Sequence, residues 1–137
     1  MKKVSAKPVV INGFVYSPFT ECVNGVYEVT DEISGGMPVY KKQGGIIHMW
    51  LEYTTKWGQW HLKPTVGKGQ DKICFAYVAC TFGVLPEEAP EGTWQCLTGF
   101  AHTFDKQPSL VVNLVVTLTL TLTLTLTLTL TLTPTLT

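Results

Sequence analysis

The sequence predicts an all-β fold: a small antiparallel sheet or partly open barrel of about five to seven strands, followed by a low-complexity C-terminal tail. Three observations predict it. Turn dipeptides recur at short intervals, the runs between them are strand-length and rich in aromatic and β-branched residues, and no stretch sustains a helical period.

The first turn signals are Asn12-Gly13 and Asn24-Gly25, dipeptides that tolerate positive φ at both centres of a tight hairpin. In "PVVINGFVY" such a turn pairs Ile11 with Phe14 and Val9 with Tyr16. The second is weaker, because the same register opposes Glu21 and Glu28. Strands are then expected within "GGMPVYKK", "IIHMWLEYTT", "WHLK", "ICFAYVACTF" and "TWQCL", with loops at "PTVGKGQDK" and "LPEEAPEG". "ICFAYVACTF" is apolar on both faces, as a central strand covered twice would be.

One hairpin is readable in register. In "IIHMWLEYTTKWGQWHLK", Ile47, Met49, Leu51 and Tyr53 alternate with His48, Trp50 and Glu52, so the first set faces a core and the second faces outward. A turn centred on Lys56 and Trp57 sets Tyr53 against Trp60 and Leu51 against Leu62. The other face then places Glu52 beside His61 as an ion pair and Trp50 beside Lys63 as a cation–π contact.

Length and charge bound the rest. At 137 residues the chain allows one domain and an appendage, since domains commonly run about 100–150 residues. Ten basic residues, all lysine, and ten acidic ones lie between Lys2 and Lys106, giving zero net charge. The expected organisation is therefore a β module over 1–106 and an uncharged tail over 107–137. Without arginine or a basic cluster, nucleic acid is not an expected partner. Pro8 and Asn12 break the apolar run that a secretory signal would need, and no N-x-[ST] acceptor occurs, so a cytoplasmic location with reduced thiols is the expectation. Were the chain secreted, Cys96 with Cys74 or Cys80 would be the first pair to test. Cys22, Cys74, Cys80 and Cys96 show no zinc-ligand spacing, and no metal or cofactor is expected.

Candidate binding residues are Trp50, Trp57, His48, Glu52, His61 and Lys63. His48, Glu52 and His61 on one outward face could suggest a metal site, but a surface ion pair with a bystander histidine is preferred, because no ligand spacing accompanies them. "GKGQDK" departs from G-x-x-x-x-G-K-[ST] and reads as a flexible charged loop rather than a phosphate cradle. A cysteine nucleophile with His61 or His102 has no surrounding signature, and no clustered polar groups point to an enzyme. Most aromatics are expected in the core, since a small sheet buries area with large rings. Trp50, on the polar face, and Trp57, at a turn, are the two placed to stack on a sugar or grip a peptide.

The order Asn24-Gly25-x-Tyr27, Pro38-Val39-Tyr40, Trp50-Leu51-x-Tyr53, Trp60, Gly92-Thr93-Trp94 resembles a small β-rich module found in tandem in large multidomain proteins of marine protists and some invertebrates. The resemblance spans roughly Val9 to Trp94. It implies a binding or spacer domain and carries over no catalytic residue. A loose echo of "KPVVING" in "QPSLVVN" (Gln107–Asn113) is compatible with a neighbouring copy.

From Thr117 the tail alternates threonine and leucine without drift until Pro134. As a strand it is ideal in sidedness, yet Thr117–Thr133 would extend about 55 Å at roughly 3.3 Å per residue, longer than any neighbour it would pair with. As a membrane helix it exceeds the roughly 20 residues needed to cross, but threonine, Pro134 and the lack of a flanking basic cluster argue against that. The repeat is also what ACCCTA, a telomere-type hexanucleotide, encodes when translated in frame, so the segment is expected to be translated repetitive DNA. Such a tail would favour self-association. The expected function is thus a non-enzymatic binding or structural spacer module with an unknown protein or glycan ligand. Its alternatives are a membrane-anchored β domain, with any membrane contact confined to the tail, and a carbohydrate- or peptide-binding unit using exposed tryptophans.

Overall fold

A computed structural model describes residues 5–16, 18–98 and 103–116. The described chain is all-β: one antiparallel sheet of nine strands, curved into an open half-barrel. The strands are β1 (Val9–Asn12), β2 (Gly25–Ser34), β3 (Met37–Lys42), β4 (Met49–Thr54), β5 (Gln59–Pro64), β6 (Ala76–Ala79), β7 (Gln95–Leu97), β8 (Phe104–Lys106) and β9 (Val111–Leu114). One helical turn, α1 (Thr20–Val23), precedes β2. In space the order is β8-β7-β6-β5-β4-β3-β2-β1-β9, so eight strands meander and the ninth returns to the first.

Alternation explains the sidedness. A row runs across the inner face through Val29, Tyr40, Leu51, Leu62, Ala76 and Cys96, each opposite the next. A second joins Tyr53, Trp60 and Val78. Trp60, Tyr27, Tyr40 and Phe14 are the largest fully buried side chains. The Trp60 indole donates to Val84 O at 2.8 Å, Tyr27 to Val23 O at 2.6 Å and the neighbouring Tyr53 to Cys80 O at 3.0 Å, while the buried Tyr40 hydroxyl has no partner among the described residues. Each such burial contributes about 1.5–3 kcal/mol.

The expected β4–β5 register is the observed one: Tyr53 faces Trp60, Leu51 faces Leu62, Glu52 faces His61 and Trp50 faces Lys63. Elsewhere the structure corrects the sequence. The strands number nine rather than five to seven. Neither Asn-Gly pair makes a hairpin: β1 pairs with β2, setting Val9 against Tyr27 and Ile11 against Gly25. Gly13 (φ 86°) serves close packing, since a Cβ there would lie 1.8 Å from Ser109 O. Asn24 clamps Phe14, accepting from its N–H at 3.1 Å and donating to its carbonyl at 3.0 Å. That side-chain clamp replaces the turn the dipeptide signalled. Ile47, expected inside, precedes β4 and is 39% exposed. β6 is not covered twice, because Ala76 and Val78 are buried while Ala79 is exposed.

Beyond Lys106, where the tail was expected to begin, the described chain adds one more strand. β9 pairs with β1 from Val9↔Leu114 to Asn12↔Val111, and Leu110 and Val112 are buried. The two echoing segments are thus neighbours in one sheet. His102 and the Thr117–Thr137 repeat lie outside the described residues.

Candidate functional site

The outer face of β4 and β5 carries most of the expected site residues, and it is not open. Glu52, His61 and Lys63 are only 5%, 3% and 2% exposed. The segment after β5 folds back over them: Gly69 N–H donates to Glu52 Oε1 at 3.0 Å, and Lys63 Nζ donates to Gln70 O at 2.6 Å. "GKGQDK" is therefore a tethered strap. Across it Lys68 pairs with Glu32 at 2.8 Å.

The expected pairs form differently. The Glu52 carboxylate has Lys63 Nζ at 3.6 Å, on the diagonal, while His61 Nε2 bonds Gln59 Oε1 at 2.9 Å. Burial, reinforced by the Lys63 cation and opposed by Asp71, lowers the His61 pKa to about 4, so His61 is neutral at pH 7 and makes no ion pair. Its Nδ1 has no partner among the described residues. The cations over Trp50 are Lys68 at 4.4 Å and Lys41 at 5.1 Å, not Lys63. The Trp50 indole donates to Thr65 Oγ1 at 2.9 Å, so this half-buried ring is committed to holding the strap. His48 is exposed, and its carbonyl accepts Thr65 N–H at 3.2 Å.

Trp57 alone among the tryptophans is largely exposed, at 55%. It sits in the β4–β5 turn, which Gly58 (φ 62°) closes by donating to Thr54 O at 2.9 Å. Lys56 lies over the ring at 5.2 Å. The antiparallel order brings the β2–β3 turn and the segment after β6 to the same end of the half-barrel. Cys80 N–H donates to Gly58 O at 2.9 Å, and Phe82 stacks edgewise on Tyr53 at 6.1 Å. Gly35 (φ 57°) lets the β2–β3 turn approach β4, where a Cβ would lie 2.8 Å from Tyr53 O. Between these turns and the strap lies a groove of about 190 Å³, lined by Ser34, Gly35, Tyr53, Thr54, Thr55, Lys56, Lys63, Gly69 and Asp71.

The turn end thus joins Trp57 and Lys63, both foreseen, with Ser34, Thr54, Thr55, Lys56 and Asp71, which were not. Trp50 and His48 stand apart from it in function: one holds the strap and the other projects from a separate loop. Thr54, Thr55 and Lys56 lie at the turn the sequence marked and Asp71 in the "GKGQDK" loop, while Ser34 belongs to "SGG", a turn motif that meander topology alone makes their neighbour.

Chemically, the groove offers hydroxyls, an ammonium and a carboxylate beside an indole. All four cysteines are free thiols. Burial pushes Cys74 up to about 11 and Cys96 up to about 12, which disfavours the thiolate a nucleophile needs. Among the described residues no cluster of histidine, cysteine or carboxylate groups is arranged to hold a metal. No family model, curated protein or solved structure matches the chain.

Proposed function

We propose that this chain is a non-enzymatic binding module that takes a carbohydrate ligand at the turn end of the half-barrel. The carrying observation is Trp57, 55% exposed in a turn whose next residues toward β4 line a polar groove. An indole offers a flat apolar face to a sugar ring, while the groove's hydroxyl, ammonium and carboxylate groups match sugar hydroxyls. Gly35 and Gly58 fix these turns on a rigid sheet, which limits the ordering cost of binding.

The test is retention on a panel of immobilised neutral and acidic glycans. Trp57→Ala should weaken retention about tenfold, the loss of roughly 1.4 kcal/mol of stacking, while leaving the melting temperature unchanged. Retention that survives Trp57→Ala would refute the site. Absence of retention on every glycan would favour the spacer reading.

A peptide ligand is the runner-up. Phe82, in the turn after β6, and Ile33, near the end of β2, are 61% and 68% exposed at the same end and favour it. The membrane-anchored alternative rests on the tail; among the described residues no helix is long and apolar enough to cross a membrane. Detergent dependence of the full chain tests that alternative.

A further inference from the structure

Among the described residues the sheet ends in two edge strands of different character. β8 ends in exposed Asp105 and Lys106, charges of the kind that keep edge strands from pairing between molecules. β9 carries none, and Val111 to Val116 is uncharged. Val115 N–H donates to Pro8 O at 3.1 Å, which fixes the parity of the ladder. Asn113 then faces β1, and the backbone N–H and C=O groups of Val112 and Leu114 point away from the sheet.

Beside this edge lies an open cavity of about 450 Å³, lined by Glu87, Val112, Asn113, Leu114 and Val116. Leu114, Val115 and Val116 are 42%, 41% and 74% exposed. The segment that follows, Thr117–Thr133, is uncharged and alternates with the period of a strand. It contains no Gly, Asn or Asp to turn the chain back onto its own β9.

We propose that β9 is a docking edge for the Thr-Leu segment of a second copy of this chain, added as an antiparallel strand and given reciprocally, so that two copies close on a two-fold axis. Strand addition satisfies the outward backbone groups of Val112 and Leu114. Alternation sets the incoming leucines beside Val112, Leu114 and Val116 and the threonines, with their methyls, beside Asn113 and Val115. The self-complementary edge makes the interface isologous and closed.

The test is the mass of the full chain in solution across concentration, by light scattering. The unaltered chain should associate. Leu114→Pro, which removes one outward N–H without touching the bond to β1, and Leu120→Lys, which puts a charge in the incoming strand, should each raise the apparent dissociation constant at least tenfold. Mixing them should restore a one-to-one complex, because one supplies an intact tail and the other an intact edge. Leu114→Lys, at a 42% exposed position, replaces Leu114→Pro if the proline unfolds the domain. A monomeric full chain would overturn the proposal. So would undiminished association of either edge variant, or a mixture that stays monomeric.

Discussion

Tyr53 and Trp60 stand directly opposite each other across the β4–β5 hairpin, ring centroids 5.5 Å apart and planes 65° from parallel. Trp60 is fully buried and also meets Tyr40 edgewise at 5.9 Å. Trp60→Ala should therefore cost about 3–5 kcal/mol, a large fraction of a typical domain's stability, in chemical denaturation. Trp60→Phe keeps a ring but leaves Val84 O without its indole donor, and should cost less than alanine.

The buried Glu52–Lys63 pair gives a second prediction. Each group is held by the strap, so removing one leaves the other charged and uncompensated. Glu52→Leu or Lys63→Met alone should destabilise by about 3–5 kcal/mol, and the double variant by clearly less than the sum. Additive losses in a double-mutant cycle would mean the two do not interact.

The pH dependence follows from His61. Its folded pKa, lowered to about 4, lies below the 6.5 of an unfolded histidine, so acid protonates the unfolded chain first. The stabilisation is fully present above pH 6.5 and is lost as pH falls toward 4. His61→Gln should flatten the fall in melting temperature across that window, read by thermal scans at a series of pH values.

The first and last strands of the described chain are tied at the β1–β9 seam, beside which Ser109 Oγ donates to Gly13 O at 2.8 Å. A chain ended after Lys106 should lose several kcal/mol, because buried Leu110 and Val112 go and the β1 edge opens. A chain ended after Val116 should keep the β1–β9 seam and fold as a monomer. Gly13→Ala should also destabilise, because a Cβ there would lie 1.8 Å from Ser109 O.

The β4–β5 register was legible because Tyr53 and Leu51 match Trp60 and Leu62 on the apolar face, so a one-residue slip would turn that face outward; the ion pair and cation–π contact expected on the other face do not form. The burial of its polar face was not legible. Glu52, His61 and Lys63 alternate as surface residues do, and only the return of the strap, through backbone groups at Gly69 and Gln70, hides them. β9 was missed because its residues have no charge and merge into the repeat; its membership depends on a pairing with β1 about a hundred residues earlier. At the candidate site Trp57 was legible from its turn position, whereas Ser34 and Asp71 reach the groove only through topology.

The most direct measurement of the central claim is backbone NMR of the full chain titrated with a glycan that it retains. Shift changes should concentrate at Ser34–Gly36, Thr54–Gly58 and Gly69–Asp71, with the Trp57 indole moving most. Changes centred on His48 and Trp50, or spread along β8 and β9, would contradict a site at the turn end.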